Sequence, residues 1–123
     1  MKYLCLAYYD PAKFEAMPEA ELRAIVSQCQ SHDAALRSSG HLMAVASLQS
    51  PTSSTTVRPR NGQVSVTDGP FIETKEQVGA FFIIEAENAK QAIQVASMHP
   101  GAQLGEELGW GIEVRPIDVF EQP

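Results

Sequence analysis

The sequence has little of what would mark a disulfide-stabilised, secreted or membrane protein. Its 123 residues include two cysteines, Cys5 and Cys29, which form no CxxC motif and are too few for a disulfide framework. The apolar run at 2–9 is too short to cross a bilayer, and no signal-peptide cleavage site follows it. We therefore expect a cytoplasmic protein that is not associated with membranes, with both cysteines acting as small buried apolar residues.

Basic residues are also scarce, and they form no run. Nine Lys and Arg residues oppose 15 Asp and Glu residues, which gives a net charge of −6. An acidic domain repels phosphate backbones, so a nucleic-acid partner is not expected. GxGxxG, GxxxxGK[ST] and GxSxG are missing, and the histidines show no HxH or HExxH spacing. These absences disfavour nucleotide-dependent and serine-hydrolase chemistry, and neither a metal nor another cofactor is expected.

The composition that remains is typical of one globular domain spanning residues 1–123. Hydrophobic residues make up 44% of the chain and charged residues 20%. One helix is predicted from 18 to 39, with acids in its first turn and Gly40 after its end. A second helix is predicted from the N-cap Asn88 to His99-Pro100-Gly101. Apolar runs predict strands at 2–9, 42–48, 79–86 and 112–117.

A hairpin is predicted between the second strand and the strand at 79–86. Asn61-Gly62 separates two β-prone runs, which is the strongest short hairpin signal, and Pro59 favours a place at a sheet edge. The order is then β-α-β-(hairpin)-β-α-β. This order predicts an α+β fold with a ferredoxin-like antiparallel sheet and two helices on one face.

The strands at 2–9 and 79–86 are apolar on both alternating sets of side chains. Two helices on one face of the sheet would leave the other face in contact with water. Exposed apolar area of this kind marks an interface, and a second copy in two-fold contact is the simplest cover. We therefore expect a homodimer formed through the sheet faces.

The motif Asp68-Gly69-Pro70-Phe71 lies in a stretch from Thr67 to Glu85 that resembles the DGPF branch of the YCII-related family. Weaker similarity is found at 1–4, 35–40, 61–62 and 111–117. The resemblance implies a dimeric α+β barrel of ferredoxin-like subunits. It implies little about activity, because the DGPF branch is largely uncharacterised. Many of its members look like bacterial companions of extracytoplasmic-function sigma factors.

Better-understood YCII relatives are thought to use a histidine on the first helix and an aspartate in an Asp-Pro turn after the second. A gapless count from Gly40 puts the histidine's place at Cys29, and the Asp-Pro place falls at His99-Pro100. Both positions depart from the family pattern, so the pair is not carried over to this chain. His32 is a neighbouring substitute for the histidine.

The loop after the hairpin holds the first group of candidate site residues. Asp68 is a candidate general acid or base, or alternatively an Asx-turn residue whose carboxylate accepts backbone N–H groups. Glu73 and Lys75 are candidate ligand-binding residues, with Lys75 able to hold an anion, or alternatively they form a solvated charged surface. Arg115 on the last strand is a further anion partner.

The first helix and the end of the second hold the other candidates. Asp33 falls near the centre of the apolar stripe along the predicted helix at 18–39. A carboxylate there is costly unless it has a partner or a pocket. His32 and His99 are candidate proton carriers, although His99 could instead complement a helix dipole. One hypothesis is a cofactor-independent small-molecule enzyme or ligand-binding protein with its pocket near the 68–76 loop. The alternative is a non-catalytic regulatory module, linked to a sigma-factor pathway, that binds through the 101–111 loop around Trp110.

Overall fold

The chain forms an α+β structure in the computed structural model, which describes residues 1–123. Four α-helices are present: α1 (Pro11–Ala16), α2 (Glu19–Ser38), α3 (Ala89–Ala96) and α4 (Pro100–Gln103). Six strands complete the fold: β1 (Lys2–Tyr9), β2 (Leu42–Ser47), β3 (Thr55–Arg60), β4 (Gln63–Asp68), β5 (Gln77–Glu85) and β6 (Gly111–Pro116). None of the helices combines the length and the hydropathy needed to span a membrane.

Four of the strands form one antiparallel sheet in the order β2-β5-β1-β6. β1 is central and pairs with β5 on one side and β6 on the other, with Cys5 opposite Phe82 and Val114. If the hairpin is treated as an insertion, this order agrees with a ferredoxin-like layout. The predicted α+β class and antiparallel sheet are confirmed.

The prediction of two helices was wrong, because two short helices were missed. The first is α1, which begins directly after β1. The buried Asp10 carboxylate accepts hydrogen bonds from the backbone N–H groups of Ala12 and Lys13, at 3.0 and 3.4 Å. Pro11 occupies the first helical position, where a missing N–H has no cost. The Asp-Pro pair therefore ends a strand and also begins a helix.

The second missed helix is α4, which begins at the predicted stop signal of α3. His99 is its N-cap: the imidazole Nδ1 accepts a hydrogen bond from the Gly101 N–H at 2.9 Å. An imidazole that accepts at Nδ1 is neutral, so His99 is not the helix-terminal cation that we considered. The predicted N-cap of α3 is confirmed, since Asn88 accepts a hydrogen bond from the Gln91 N–H at 2.9 Å.

The hydrophobic core lies between the sheet and the helices, on one sheet face only. From the sheet it takes Tyr3, Cys5, Phe82 and Ile84, and from the helices it takes Leu36, Ala92, Val95 and Ala96. Cys5 is fully buried as predicted, and burial raises the pKa of its thiol to about 12. Cys29 is only half-buried, so the corresponding prediction for it was too strong.

The opposite sheet face carries a second apolar set. Leu4 faces Ile83 and Leu6 faces Phe81 across the β1–β5 pair, and all four side chains are half-buried. No helix covers this face within the chain. The expectation that both faces of these strands are apolar is therefore confirmed, while the second copy that would cover this face stays a prediction.

The hairpin formed by β3 and β4 is a two-stranded sheet of its own rather than the edge of the main sheet. Asn61 and Gly62 both have positive φ, at 52° and 75°, which is the two-residue turn that the sequence predicted. One face of the hairpin is bare and apolar, and it consists of Val57, Pro59, Val64 and Val66.

Helix α2 is less buried than its apolar stripe predicted. Leu36 is 2% exposed, whereas Val26 is 52% exposed. The stripe is therefore fully buried only at Leu36 near the end of the helix, whereas Leu22 and Ile25 are half-buried and Val26 is exposed.

This difference gives the first test. Leu36→Ala removes buried methyl groups from the core and should lower the free energy of unfolding by about 2–5 kcal/mol. Val26→Ala, on the same helix, should change it by less than about 0.5 kcal/mol, because an exposed side chain loses little contact. Urea denaturation of the two variants checks this, and equal losses would contradict the burial described here.

Candidate functional site

A cavity of about 490 Å³ opens at the end of β1, between helices α1, α2 and α4. Its wall combines aromatic, titratable and hydroxyl-bearing side chains with small residues of the sheet. The polar and aromatic members are Tyr8, Tyr9, Phe14, Glu15, Cys29, Asp33, Ser47, Ser50, His99 and Trp110. Residues from six separate parts of the chain meet here, which is typical of a binding site built on a rigid scaffold.

Two glycines shape the wall by letting aromatic rings approach the backbone. A Cβ at Gly79 would come within 2.8 Å of Cδ1 of Tyr9, so only glycine lets this ring lie against β5. A Cβ at Gly105 would collide with the indole of Trp110, and Gly105 also has a φ of 72°. The glycine-rich segment before β6 thus packs Trp110 against the cavity.

His99 is held in one orientation by two contacts. Its ring stacks on Phe82 with centroids 4.7 Å apart and an angle of 4° between the planes. Its Nδ1 accepts the hydrogen bond from Gly101. A neutral imidazole that accepts at Nδ1 carries its proton on Nε2, so Nε2–H is the group left to donate to a ligand. Burial lowers the pKa of His99, and the charge of Asp33 opposes this with a smaller effect.

Asp33 lies one helical turn after Cys29 on α2, and both side chains line the cavity. The Asp33 carboxylate has neither an ion-pair partner nor a hydrogen bond within the chain, and it is half-buried. Burial raises the pKa of Cys29, and the charge of Asp33 raises it further. The Cys29 thiol is therefore protonated near neutral pH, which argues against a nucleophilic role for it.

Asp33 and His99 have complementary chemistry. A carboxylate without a protein cation can accept a proton, and a neutral imidazole with a free Nε2–H can donate a hydrogen bond to a ligand oxygen. Asp33 and His99 were both sequence candidates, and the structure brings them to one cavity. His32, also on α2, is half-buried but does not line it.

Asp68 does not line this cavity. It ends β4 with an exposed side chain, and no backbone N–H donates to its carboxylate, so the Asx-turn interpretation was wrong. The turn is instead fixed by backbone bonds: the Gly69 N–H donates to the Ser54 carbonyl at 2.7 Å, and the Thr56 hydroxyl donates to the Gly69 carbonyl at 2.7 Å. Gly69 has a φ of 104°, which requires glycine.

Side chains of the hairpin and of β5 hold the rest of the loop in place. The Arg58 guanidinium lies 3.9 Å from the centre of the Phe71 ring, and Nη2 of Arg58 donates to the Phe71 carbonyl at 3.0 Å. Gln77 donates through Nε2 to the carbonyls of Ile72 and Thr74, at 3.1 and 3.2 Å. These bonds give the loop a structural explanation that does not need a ligand.

The three predicted charged partners do not come together. Glu73 and Lys75 are exposed on the loop and outside the cavity. Arg115 pairs with Glu113 on the open sheet face. A separate, shallower hollow of about 570 Å³ touches the loop at Thr74 and Glu76, together with Tyr8 and Trp110. Asp68 does not line that hollow either.

Sequence reasoning missed Tyr9, Phe14 and Glu15 as cavity residues. The reason is that no helix was predicted between the strand at 2–9 and the helix at 18–39, although Asp10-Pro11 lies there. An Asp followed by Pro is also an N-cap with proline at the first helical position. That interpretation would have predicted α1 and placed Phe14 and Glu15 beside the end of β1.

The altered pKa of His99 predicts how stability depends on pH. The folded-state value lies below the ordinary 6.5, so the unfolded chain binds more protons in the window between the two. The contribution of His99 to the free energy of unfolding is therefore fully present above pH 6.5, and it is lost as the pH drops through that window. Asp33 and the protonated Cys29 line the same cavity from α2, and Glu15 and the protonated Tyr9 line its α1 end.

His99→Asn should make this loss shallower, because asparagine can still cap α4 but does not titrate. Urea midpoints of the wild type and the variant, measured from about pH 7 to about pH 5, provide the test. Parallel curves for the two proteins would show that His99 is not the group responsible.

Two comparisons with known proteins agree with this description. The family model of the YCII-related domain matches residues 1–120. An uncharacterized protein of Rhizobium meliloti (strain 1021) is 29% identical over 121 residues, which cover 98% of this chain and 95% of the relative. The family match extends through every strand and helix described above. The chain therefore belongs to the YCII-related domain family.

Proposed function

We propose that the protein is a cofactor-independent small-molecule enzyme that transfers a proton within the cavity between α1, α2 and α4. The observation that supports this most strongly is that one cavity is lined both by a carboxylate without a protein partner, Asp33, and by an imidazole fixed as a donor, His99. The cavity volume of about 490 Å³ suits a small ligand. The site is thus shifted from the 68–76 loop, where the sequence placed it, to the start of α4.

The chemistry that fits is removal of a proton from a carbon next to a carbonyl group. Asp33 takes the proton, and the electron pair of the C–H bond moves onto the carbonyl oxygen. His99 stabilises the resulting negative charge by donating a hydrogen bond from Nε2. Return of the proton to a different face or carbon completes an isomerisation, and no redox cofactor is needed.

We further infer that the protein belongs to the DGPF branch of its family and acts in the cytoplasm. The supporting feature is Asp68-Gly69-Pro70-Phe71, whose role here is to join the hairpin to β5. In this proposal Asp68, Glu73 and Lys75 are structural or solvent-facing residues. His32 and Arg115 likewise take no part in the reaction.

The proposal includes a homodimer that would complete a dimeric α+β barrel. The apolar side chains Leu4, Leu6, Phe81 and Ile83 share the open sheet face, and no helix of the chain covers them. A two-fold contact brings the same patch of each copy together, so one apolar surface covers the other. The bare apolar hairpin face extends the surface available to a second copy.

A non-catalytic interaction module is the second candidate. The observation that favours it is the hairpin face of Val57, Val64 and Val66, which are 61%, 73% and 65% exposed. A two-stranded sheet with such a face is marginally stable alone and gains from a partner. In this version the partner is a component of a sigma-factor pathway. The 101–111 loop is a poorer contact surface, because Trp110 is half-buried against Gly105.

Deuterium exchange tests the proposed reaction. Small neutral ketones and aminoketones that raise the melting temperature of the protein are incubated with it in D₂O. NMR should then show deuterium entering the carbon beside the carbonyl. Asp33→Asn and His99→Asn should each slow this exchange by about 100-fold or more, because general acid–base groups contribute at that scale.

Asp68→Asn is the matched control, since it removes one carboxylate outside the cavity. It should exchange at the wild-type rate. Loss of exchange in Asp68→Asn but not in Asp33→Asn would move the site back to the loop. Absence of exchange for every compound that binds would favour the interaction module.

Light scattering tests the dimer. The wild type at micromolar concentration should have about twice the chain mass of 13.4 kDa. Phe81→Lys puts a charge into the open sheet face and should give a monomer, because a buried unpaired charge is costly. Ile93→Lys, on the exposed side of α3, should stay dimeric. A monomeric wild type would overturn the proposal.

A further inference from the structure

The α1 end of the cavity differs in chemistry from the Asp33–His99 end. We propose that Tyr9, Phe14 and Glu15 form a subsite for the positively charged group of a small organic cation, such as an alkylammonium. This inference extends the proposed function by naming the class of ligand. It rests on the same cavity but on different side chains.

The charges that line the cavity are all negative. Glu15 and Asp33 are its two carboxylates, and no lysine or arginine lines it. Neither carboxylate forms an ion pair with a basic group of the chain. His99 is neutral near physiological pH, as its hydrogen bond from Gly101 requires. A positively charged ligand therefore meets two unneutralised carboxylates, and the net charge of −6 attracts cations to the mouth.

Aromatic rings stand beside Glu15. Tyr9 and Phe14 pack edge to face, with centroids 5.9 Å apart and an angle of 85° between the planes. This arrangement presents ring surfaces in two nearly perpendicular directions, and ring faces attract cations. Burial raises the pKa of the Tyr9 hydroxyl, and the charge of Glu15 raises it further.

The rings are held in place by the fold. Gly79 lets the Tyr9 ring lie against β5, as described above. Phe14 is on α1, whose start is fixed by the buried Asp10. Tyr9 is half-buried, and Phe14 and Glu15 are exposed, so the three side chains form an open wall that a ligand reaches from solvent.

An anionic ligand has no comparable set of partners. The backbone N–H groups at the start of α1 already donate to Asp10, and the Gly101 N–H at the start of α4 already donates to His99. The candidate anion partners Lys75 and Arg115 lie outside the cavity. A negative group would therefore meet two carboxylates with no basic side chain to compensate.

In this proposal the two ends of the cavity bind different parts of the ligand. The charged end of the ligand binds at Tyr9, Phe14 and Glu15, and the reacting carbon lies at Asp33 and His99. A ligand with an ammonium group at one end and a carbonyl at the other satisfies both.

Three probes of equal shape test the subsite: choline, its uncharged isostere 3,3-dimethylbutan-1-ol, and the anion 3,3-dimethylbutyrate. NMR titration of ¹⁵N-labelled protein gives each dissociation constant and shows which amides shift. Choline should bind about tenfold or more tightly than the alcohol and shift amides around Tyr9 and Glu15, while the anion should bind most weakly. Equal binding of choline and the alcohol would overturn the proposal, as would no binding of choline.

Glu15→Gln should weaken choline about tenfold and leave the alcohol unchanged, since a charge-assisted contact is lost. Glu21→Gln, on the exposed start of α2, removes the same charge outside the cavity and should have no effect. If both variants weakened choline binding equally, the net charge of the protein would explain the effect, and the subsite would be overturned. If neutral ketones exchange deuterium but choline does not bind, the subsite is overturned and the proposed reaction stands. If choline binds but no ketone exchanges deuterium, the proposed reaction is overturned and the subsite stands.

Discussion

The pairing of β1 with β5 is the constraint on which the rest of the structure depends. It aligns Cys5 with Phe82 and Tyr3 with Ile84, so that one continuous apolar surface faces the helices. The Phe82 ring then stacks on the ring of His99. At the far end of the same pair the register shifts after Ala7, and Gly79 opposes the Tyr9 ring. The hydrophobic core and the cavity are thus two regions of one strand pair.

The regular elements were predictable because their signals are local. A continuous apolar run predicted β1, Asn61-Gly62 predicted the hairpin turn, and Asn88 predicted the start of α3. The short helices were missed because each N-cap lies shortly after another element: Asp10 directly follows β1, and His99 comes three residues after α3. A helix of four or six residues has too few positions to show a period of 3.6, so only its cap can reveal it.

The site was predictable in part and for a similar reason. Asp33 stood out because a carboxylate on an apolar stripe is costly without a partner, and it does line the cavity. Asp68 stood out because its motif is unusual, yet that motif is explained by turn geometry and by contacts such as Arg58 on Phe71. An unusual sequence can meet a demanding backbone conformation as readily as a chemical need. Which residues converge from distant parts of the chain depends on tertiary packing and was not visible in the sequence.

The cap that His99 provides for α4 limits which residues can stand at the entrance to this helix. Residues that cap helices well are acceptors, chiefly Asp, Asn, Ser and Thr, and histidine joins them here only as a neutral ring. Asp33 on α2 and His99 at the start of α4 supply the carboxylate and the imidazole of the cavity, and His99 also caps a helix. A replacement for His99 therefore has to accept the Gly101 N–H if α4 is to keep its start, whatever chemistry it brings to the cavity.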